Sequence, residues 1–217
     1  MGLFITFEGI EGSGKSTQIS LLRAKLQQMG YETIQTREPG GCVIADKIRG
    51  ILLHPQNSAL EPTAELLLYA AARAQHVSEI IRPALNNGKL VLCDRYTDAT
   101  LAYQGDGRSL DLNLIAQLNK VASQSTTPDL TILIDLQIEI GLGRALSREV
   151  ELQDSSEGRF EREEMDFHRR VRDGYLRLSK AEPDRFSVVD GSLSIDLLAT
   201  EILNKTLKFL KRHKVQQ

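Results

Sequence analysis

Near the start of the chain, Gly9-Ile10-Glu11-Gly12-Ser13-Gly14-Lys15-Ser16 places two glycines around a four-residue gap, followed at once by lysine and serine. That spacing is the phosphate-cradling P-loop, G-x-x-x-x-G-K-[ST]. Gly9, Gly12 and Gly14 let the backbone turn tightly and aim its N–H groups at phosphate oxygens. Lys15 is spaced to reach β- and γ-phosphates, and the Ser16 hydroxyl to ligate Mg²⁺. The candidate ATP-binding residues are therefore Gly9, Ile10, Glu11, Gly12, Ser13, Gly14, Lys15, Ser16 and Thr17. Glu11 is the odd member, a carboxylate in a loop built for anions.

A Mg²⁺ site of this kind takes a second oxygen from an acid at the end of another apolar strand. Two runs qualify, Leu90-Val91-Leu92-Cys93-Asp94 and Thr131-Ile132-Leu133-Ile134-Asp135. Asp94 is favoured, because Arg95 beside it puts an anion-binding fork at the same strand end, where open α/β sheets hold ligands. Asp135 reads as a cap for the helix after it. A regulatory GTPase is excluded by pattern. No aspartate is followed by glycine three residues on, and Asn119-Lys120-Val121-Ala122 lacks the final acid of a guanine reader. Arginines are scattered over several segments instead (Arg37, Arg49, Arg73, Arg95, Arg144, Arg148, Arg159, Arg162), which suits a phosphotransferase with a second, phosphorylated substrate.

The elements that must position these residues alternate. Short apolar runs at Leu3–Glu8, Thr33–Arg37, Leu90–Asp94, Leu130–Asp135 and Phe186–Val189 read as strands buried on both faces. Helical patterns lie near Ser16–Met29, Val43–Leu53, Pro62–Asn86, Leu110–Ser123, Glu139–Glu149, Glu161–Lys180 and Ile195–Arg212. Such alternation predicts an α/β fold, a parallel sheet with helices on both faces. At 217 residues the chain fits a single domain, 1–217. One stretch departs from compactness. Arg144–Glu164 is dense in charge and interrupted by Asp154-Ser155-Ser156-Glu157-Gly158, and it reads as a mobile lid at about 141–165.

Composition bounds the function. The chain is 41% hydrophobic and 26% charged, with net charge −2, so no global charge calls for a nucleic acid polymer. The basic run Lys208–Lys214 reads as a solvated helix end. Cys42 and Cys93 form neither a metal spacing nor a disulfide framework. No long apolar segment indicates a membrane, and a cytoplasmic protein is expected.

Several blocks in order carry a family resemblance. "FEGIEGSGKSTQ" (7–18), "TREPGG" (36–41), "LLLYAAARAQH" (66–76), "LCDRYTDATLAYQG" (92–105) and "GRFEREEMDFHRRVRDGYL" (158–176) together resemble the thymidylate kinases of bacterial type, over nearly the whole chain. The resemblance implies a P-loop NTPase fold, five strands in the order 2-3-1-4-5, a homodimer, and transfer of the ATP γ-phosphate to dTMP. Another nucleoside monophosphate kinase (dUMP, CMP or AMP as acceptor) is the alternative reading, and a non-catalytic P-loop protein the distant one.

The resemblance also implies roles. Glu11 would accept the acceptor sugar's 3′-hydroxyl. Arg37 would face the acceptor site, and Arg49 and Arg95 would hold its 5′-phosphate. Tyr69 would stack on thymine, with Arg73 one turn away on the same helix face donating to a base carbonyl. Thr100, or Gln104 beside it, would touch the base, and Tyr103 would crowd the sugar's 2′ position. The loop holds no arginine, so transition-state charge would come from the lid, with Arg144 and Arg148 the first choices. The implied catalytic set is Lys15, Asp94, Arg95, Arg144 and Arg148, with Ser16 and Asp94 at the metal.

Overall fold

The computed structural model describes residues 2–152 and 158–213, with the side chains of 148–152 outside that description. Five parallel strands form one sheet: β1 (Phe4–Glu8), β2 (Thr33–Arg37), β3 (Leu90–Asp94), β4 (Leu130–Asp135) and β5 (Phe186–Asp190). Their order is β2-β3-β1-β4-β5, as the resemblance implies. Alternation along each strand explains the two packed layers. Ile5 and Phe7 of β1, with Leu90 and Leu92 of β3, pack on Ile19, Leu22 and Leu26 of α1 (Lys15–Gln28) and on Leu198 and Ile202 of α9 (Ile195–Arg212). Phe4, Val91 and Cys93 face the other way, onto Val77 and Ile81.

The register brings the chemistry to one edge. Phe7 pairs with Asp94 and Arg37 pairs with Asp94 from the other side, so β1, β2 and β3 end level. Glu8, Arg37, Glu38, Asp94 and Arg95 therefore share the carboxyl ledge of the sheet, where helix α1 begins directly after the loop.

The other helices are α2 (Val43–Leu53), α3 (Pro62–His76), α4 (Arg82–Asn86), α5 (Thr97–Thr100), α6 (Leu112–Ala122), α7 (Ile138–Leu152) and α8 (Met165–Ala181). Side chains close their starts: Glu61 accepts from the N–H groups of Thr63 and Ala64, Asp111 from Asn113 and Ser194 from Leu197. The helix expected over Pro62–Asn86 is interrupted by a widened π turn at Val77–Ile81. Pro83 lacks an N–H and crowds the carbonyl four residues back, inside that turn, so regular winding gives way there. A second π segment, Leu101–Gly107, extends α5. The helix expected from Glu161 starts only at Met165. Of the stretch expected as a lid, 141–152 lies in α7, residues 158–162 are turn and lead through a bend to the start of α8, and 153–157 lie outside the described residues, as does Lys214.

Candidate active site

A cavity of about 370 Å³ opens on the carboxyl ledge. One end is the loop Glu11–Thr17; the other is walled by Arg37, Glu38, Arg49, Tyr69, Arg73, Thr100, Tyr103 and Gln104, with Asp94 and Arg95 between them. Most of the residues singled out in the sequence thus meet in one space. Gly9 and Ile10 do not line it: their carbonyls take hydrogen bonds from Lys15 Nζ at 3.0 and 2.8 Å, and the Ile10 side chain is core. Gly12 shows why glycine is needed in the loop. Its φ is +66°, and a Cβ there would fall 1.9 Å from the Gly141 carbonyl oxygen of α7. Burial, with Arg95 nearby, lowers the Lys15 ammonium to about 8, and Asp94, Glu11 and Glu8 offset part of that effect.

Ser16 Oγ donates to Asp94 Oδ2 at 2.8 Å. A hydroxyl and a carboxylate side by side at the mouth of the loop are hard oxygen donors suited to Mg²⁺, which takes one or two protein oxygens and completes its shell with phosphates and water. Asp135 is not the helix cap expected of it. Arg172 grips both its oxygens, at 2.7 and 2.8 Å.

Glu11 is not pointing into water. Only 9% of it is exposed, and Oε1 accepts from the Tyr103 hydroxyl at 2.5 Å and from Arg95 Nη2 at 3.1 Å. Oε2 is enclosed and without a hydrogen bond, 3.6 Å from Nδ1 of His168. Burial alone would raise the Glu11 carboxyl, but His168, Arg95, Tyr103 and Lys15 outweigh it and bring it to about 2. Arg95 is held just as firmly. Its φ of +66° turns the chain back toward the loop, a conformation costing on the order of 1–2 kcal/mol for a non-glycine residue. Nη1 then donates to the Gly9 carbonyl and to the Tyr175 hydroxyl, and the guanidinium lies 4.7 Å from the Tyr103 ring centre. Tyr175 in turn donates to Glu8 Oε2 at 2.7 Å. Burial, and then the charge of Asp98, raise the Glu8 carboxyl to about 7.

Arg73, 2% exposed, is fixed by four hydrogen bonds: Nε to Glu38, Nη1 to Asn119, and Nη2 to the Tyr96 carbonyl and to Thr100 Oγ1. Glu38 also meets His76 Nδ1 at 3.0 Å, and His76 Nε2 meets Thr36 Oγ1 at 2.6 Å. Gly41, φ +88°, passes so close that a Cβ would lie 2.5 Å from both of the latter atoms. The "TREPGG" segment is therefore a lock on Arg73 as well as a turn. Arg37 is an exposed partner of Asp46, and Arg49 donates to the Pro39 carbonyl. Gln104 Nε2 donates to buried Glu65.

The four arginines of the stretch expected as a lid separate. Arg144 is exposed and donates to the Gly191 carbonyl, in the loop after β5, and it does not line the cavity. Arg148 has its side chain outside the described residues. Arg159 is buried, pairing with Glu65 at 2.6 Å and donating to the Leu52 carbonyl, which ties the segment before α8 to α2 and α3. Arg162 is exposed.

Several supporting residues drew no role from sequence, among them Glu8, Glu38, His168 and Tyr175. Glu8 and Glu38 each directly follow a strand-end site residue or close a strand, so their position at the ledge was a usable signal. His168 and Tyr175 lie on α8, seven apart and so on one face, but nothing local aims that face at the loop.

Known proteins agree with one another about what this chain resembles. The family model described as Thymidylate kinase matches residues 7–202. A thymidylate kinase of Geobacter sulfurreducens is 55% identical over 212 residues, 98% of this chain and 100% of that protein. One of Syntrophotalea carbinolica is 58% identical over 196 residues, 90% of this chain and 91% of the relative. The crystal structure of thymidylate kinase from Ehrlichia chaffeensis superposes with a TM-score of 0.77 at 34% identity, covering 94% of this chain and 98% of that one.

Proposed function

The chain belongs to the thymidylate kinase family and phosphorylates dTMP with ATP, and from that premise we propose how its residues divide the work. The observation that carries the division is that one cavity joins Lys15, Ser16 and Thr17 of the loop to Tyr69, Arg73 and Gln104. Donor and acceptor phosphates can meet only between them, beside Asp94 and Arg95.

In this reading Gly9–Thr17 cradle the ATP phosphates, with Lys15 leaving the loop carbonyls for the β- and γ-phosphates. Arg95 and Arg49 hold the acceptor's phosphate, with Arg37 at the rim. Tyr69 stacks on the base, Arg73 offers it a donor, and Thr100 and Gln104 border it. Glu11 receives the 3′-hydroxyl, and Tyr103 fills the space a 2′-hydroxyl would need. The acceptor phosphate is already an anion, so no general base is required; orientation and positive charge do the catalysis. Lys15 and Arg95 supply part of that charge. Arg144 and Arg148 of the lid supply the rest. Ser16 and Asp94 would hold Mg²⁺, which when bound neutralises charge on the β- and γ-oxygens.

The protein works as a homodimer in the cytoplasm, without nucleic acid or membrane. Exposed apolar side chains on three neighbouring helices support the dimer: Val43, Ile44 and Ile51 of α2, Leu67 of α3, and Leu114 and Val121 of α6. No helix among the described residues is long and apolar enough to cross a membrane.

ADP release measured with a panel of acceptors tests the assignment. dTMP is expected to support rapid turnover, with dUMP, CMP and AMP far behind. Preference for one of the others, or ATP binding without transfer to any, overturns it.

A further inference from the structure

Three polar atoms near the loop are enclosed and have no hydrogen-bond partner among the described residues: Oε2 of Glu11 and both ring nitrogens of His168. Buried polar atoms are almost always satisfied, so orphans gathered at one spot call for an explanation. Here two of them face each other, Nδ1 to Oε2, at 3.6 Å. Oε1 of the same carboxylate is already engaged by Tyr103 and Arg95.

We propose that His168 is a positioning residue for the acceptor site: its Nδ1–H holds Oε2 of Glu11, so that the carboxylate cannot rotate and Oε1 is presented to the sugar hydroxyl. The proposal rests on the reading that Glu11 receives the 3′-hydroxyl. A carboxylate turns easily about its last bond, and Tyr103 and Arg95, both acting on Oε1, resist that rotation from one oxygen only. A donor on the second oxygen opposes it. The gap needs to close by only about half an ångström to reach an N–H···O bond of about 3 Å. The imidazole has a rigid mount from which to do this. Helix α8 packs tightly on the segment 101–107. A Cβ at Gly107 would lie 2.7 Å from the Phe167 ring, and one at Gly174 would lie 2.4 Å from Asp106 Oδ2. The Phe167 ring stands edge-on to His168, centres 5.5 Å apart.

Steady-state kinetics of His168→Leu, His168→Asn and His168→Gln, with dTMP and with 3′-deoxy-TMP, test this. Asparagine can put an amide donor near the Nδ1 position; glutamine reaches toward Nε2, and leucine offers shape alone. With dTMP, His168→Leu is expected to raise KM about tenfold with kcat within about threefold, while 3′-deoxy-TMP changes less than about twofold. His168→Asn should recover most of the loss and His168→Gln little of it. In a Glu11→Gln background the leucine substitution should have no further effect on dTMP, because the two residues act as one unit. Equal losses on both nucleotides, no recovery by asparagine, or additivity with Glu11→Gln overturns the role. If Glu11→Gln alone penalises both nucleotides equally, the underlying reading of Glu11 has failed; if it is selective and His168→Leu is not, only the role of His168 has. Should the leucine variant not fold, imidazole ¹⁵N spectra of the wild type decide. Nδ1 of His168 is expected to carry its proton in the dTMP complex and to shift in Glu11→Gln, and an unprotonated Nδ1 there sinks the proposal.

Discussion

Ser16 Oγ and Asp94 Oδ2 are joined by a 2.8 Å hydrogen bond that ties the first turn of α1 to the end of β3. Neither partner is core, so the pair can be altered without collapsing the fold. Asp94→Asn keeps the shape and removes the charge that would favour a cation. It is expected to raise the Mg²⁺ concentration for half-maximal rate at least tenfold and to lower kcat/KM about a hundredfold, with folding stability within about 1 kcal/mol of wild type. A Mg²⁺ titration of initial rates makes the comparison, and an unchanged midpoint would return the metal to another acid.

Lys15 gives two readouts of opposite sign. Lys15→Met removes the contact proposed for the transferred phosphate and is expected to cost several kcal/mol of barrier, leaving little measurable turnover. Its stability should behave differently. The wild-type ammonium loses its proton near pH 8 in the fold but only near 10.5 when unfolded, so the unfolded chain binds more protons between those values. Wild-type stability relative to Lys15→Met should therefore rise with pH across that window, by about 2–3 kcal/mol, and be flat below pH 7. Urea midpoints at pH 7 and pH 10.5 check it.

Tyr103 joins a hydroxyl on Glu11 to a ring packed edge-on to Phe160 at 5.4 Å. The two parts can be separated. Tyr103→Phe keeps the ring and should keep the preference for dTMP over ribo-TMP while raising KM a few-fold. Tyr103→Ala should narrow that preference by at least tenfold. Competition between the two nucleotides measures both ratios; an unchanged ratio in the alanine variant would leave Tyr103 as packing alone.

Glu38 and Arg73 form a buried ion pair, 4% and 2% exposed. Removing one member strands the other, so Glu38→Ala is expected to cost about 3–5 kcal/mol of stability. For a domain of this size that is a fall in Tm of roughly 8–15 °C. The dTMP KM should rise while ATP affinity holds. A thermally unaffected Glu38→Ala would show that the lock is dispensable.

The arginines of the proposed lid are expected to act on the chemical step. Arg144→Ala and Arg148→Ala should each lower kcat more than they raise the dTMP KM, since the charge they meet develops during transfer. A change confined to KM would remove them from catalysis.

How much of this was legible in the chain depends on what kind of signal each feature has. Strand positions were legible because a fully buried parallel strand leaves an uninterrupted apolar run, as in Leu90–Cys93, and the loop because its function demands a fixed spacing. The π turn at Val77–Ile81 was not, since Pro83 announces disruption without saying which side absorbs it. Asp135 was misread for a related reason: a strand-end acid suits a cap, a metal or an ion pair, and Arg172, 37 residues on, decides among them. The same holds for Glu38, Arg73 and Asn119, whose meeting needs three elements in register. His168 was hidden most completely, because only the docking of α8 aims it at the loop.

The hold on Arg73 has a consequence for ligand chemistry. A guanidinium has five N–H donors, and the protein occupies four of them here. Its immobilisation is complete before any nucleotide arrives, so in the proposed acceptor site a single acceptor on the base would collect a preorganised bond at almost no entropic cost. A second acceptor aimed at the same group would find no proton to accept. Inhibitors built to chelate Arg73 in two places should thus bind no better than those offering one well-placed carbonyl, and added affinity has to be sought along the wall formed by Tyr69 and Gln104.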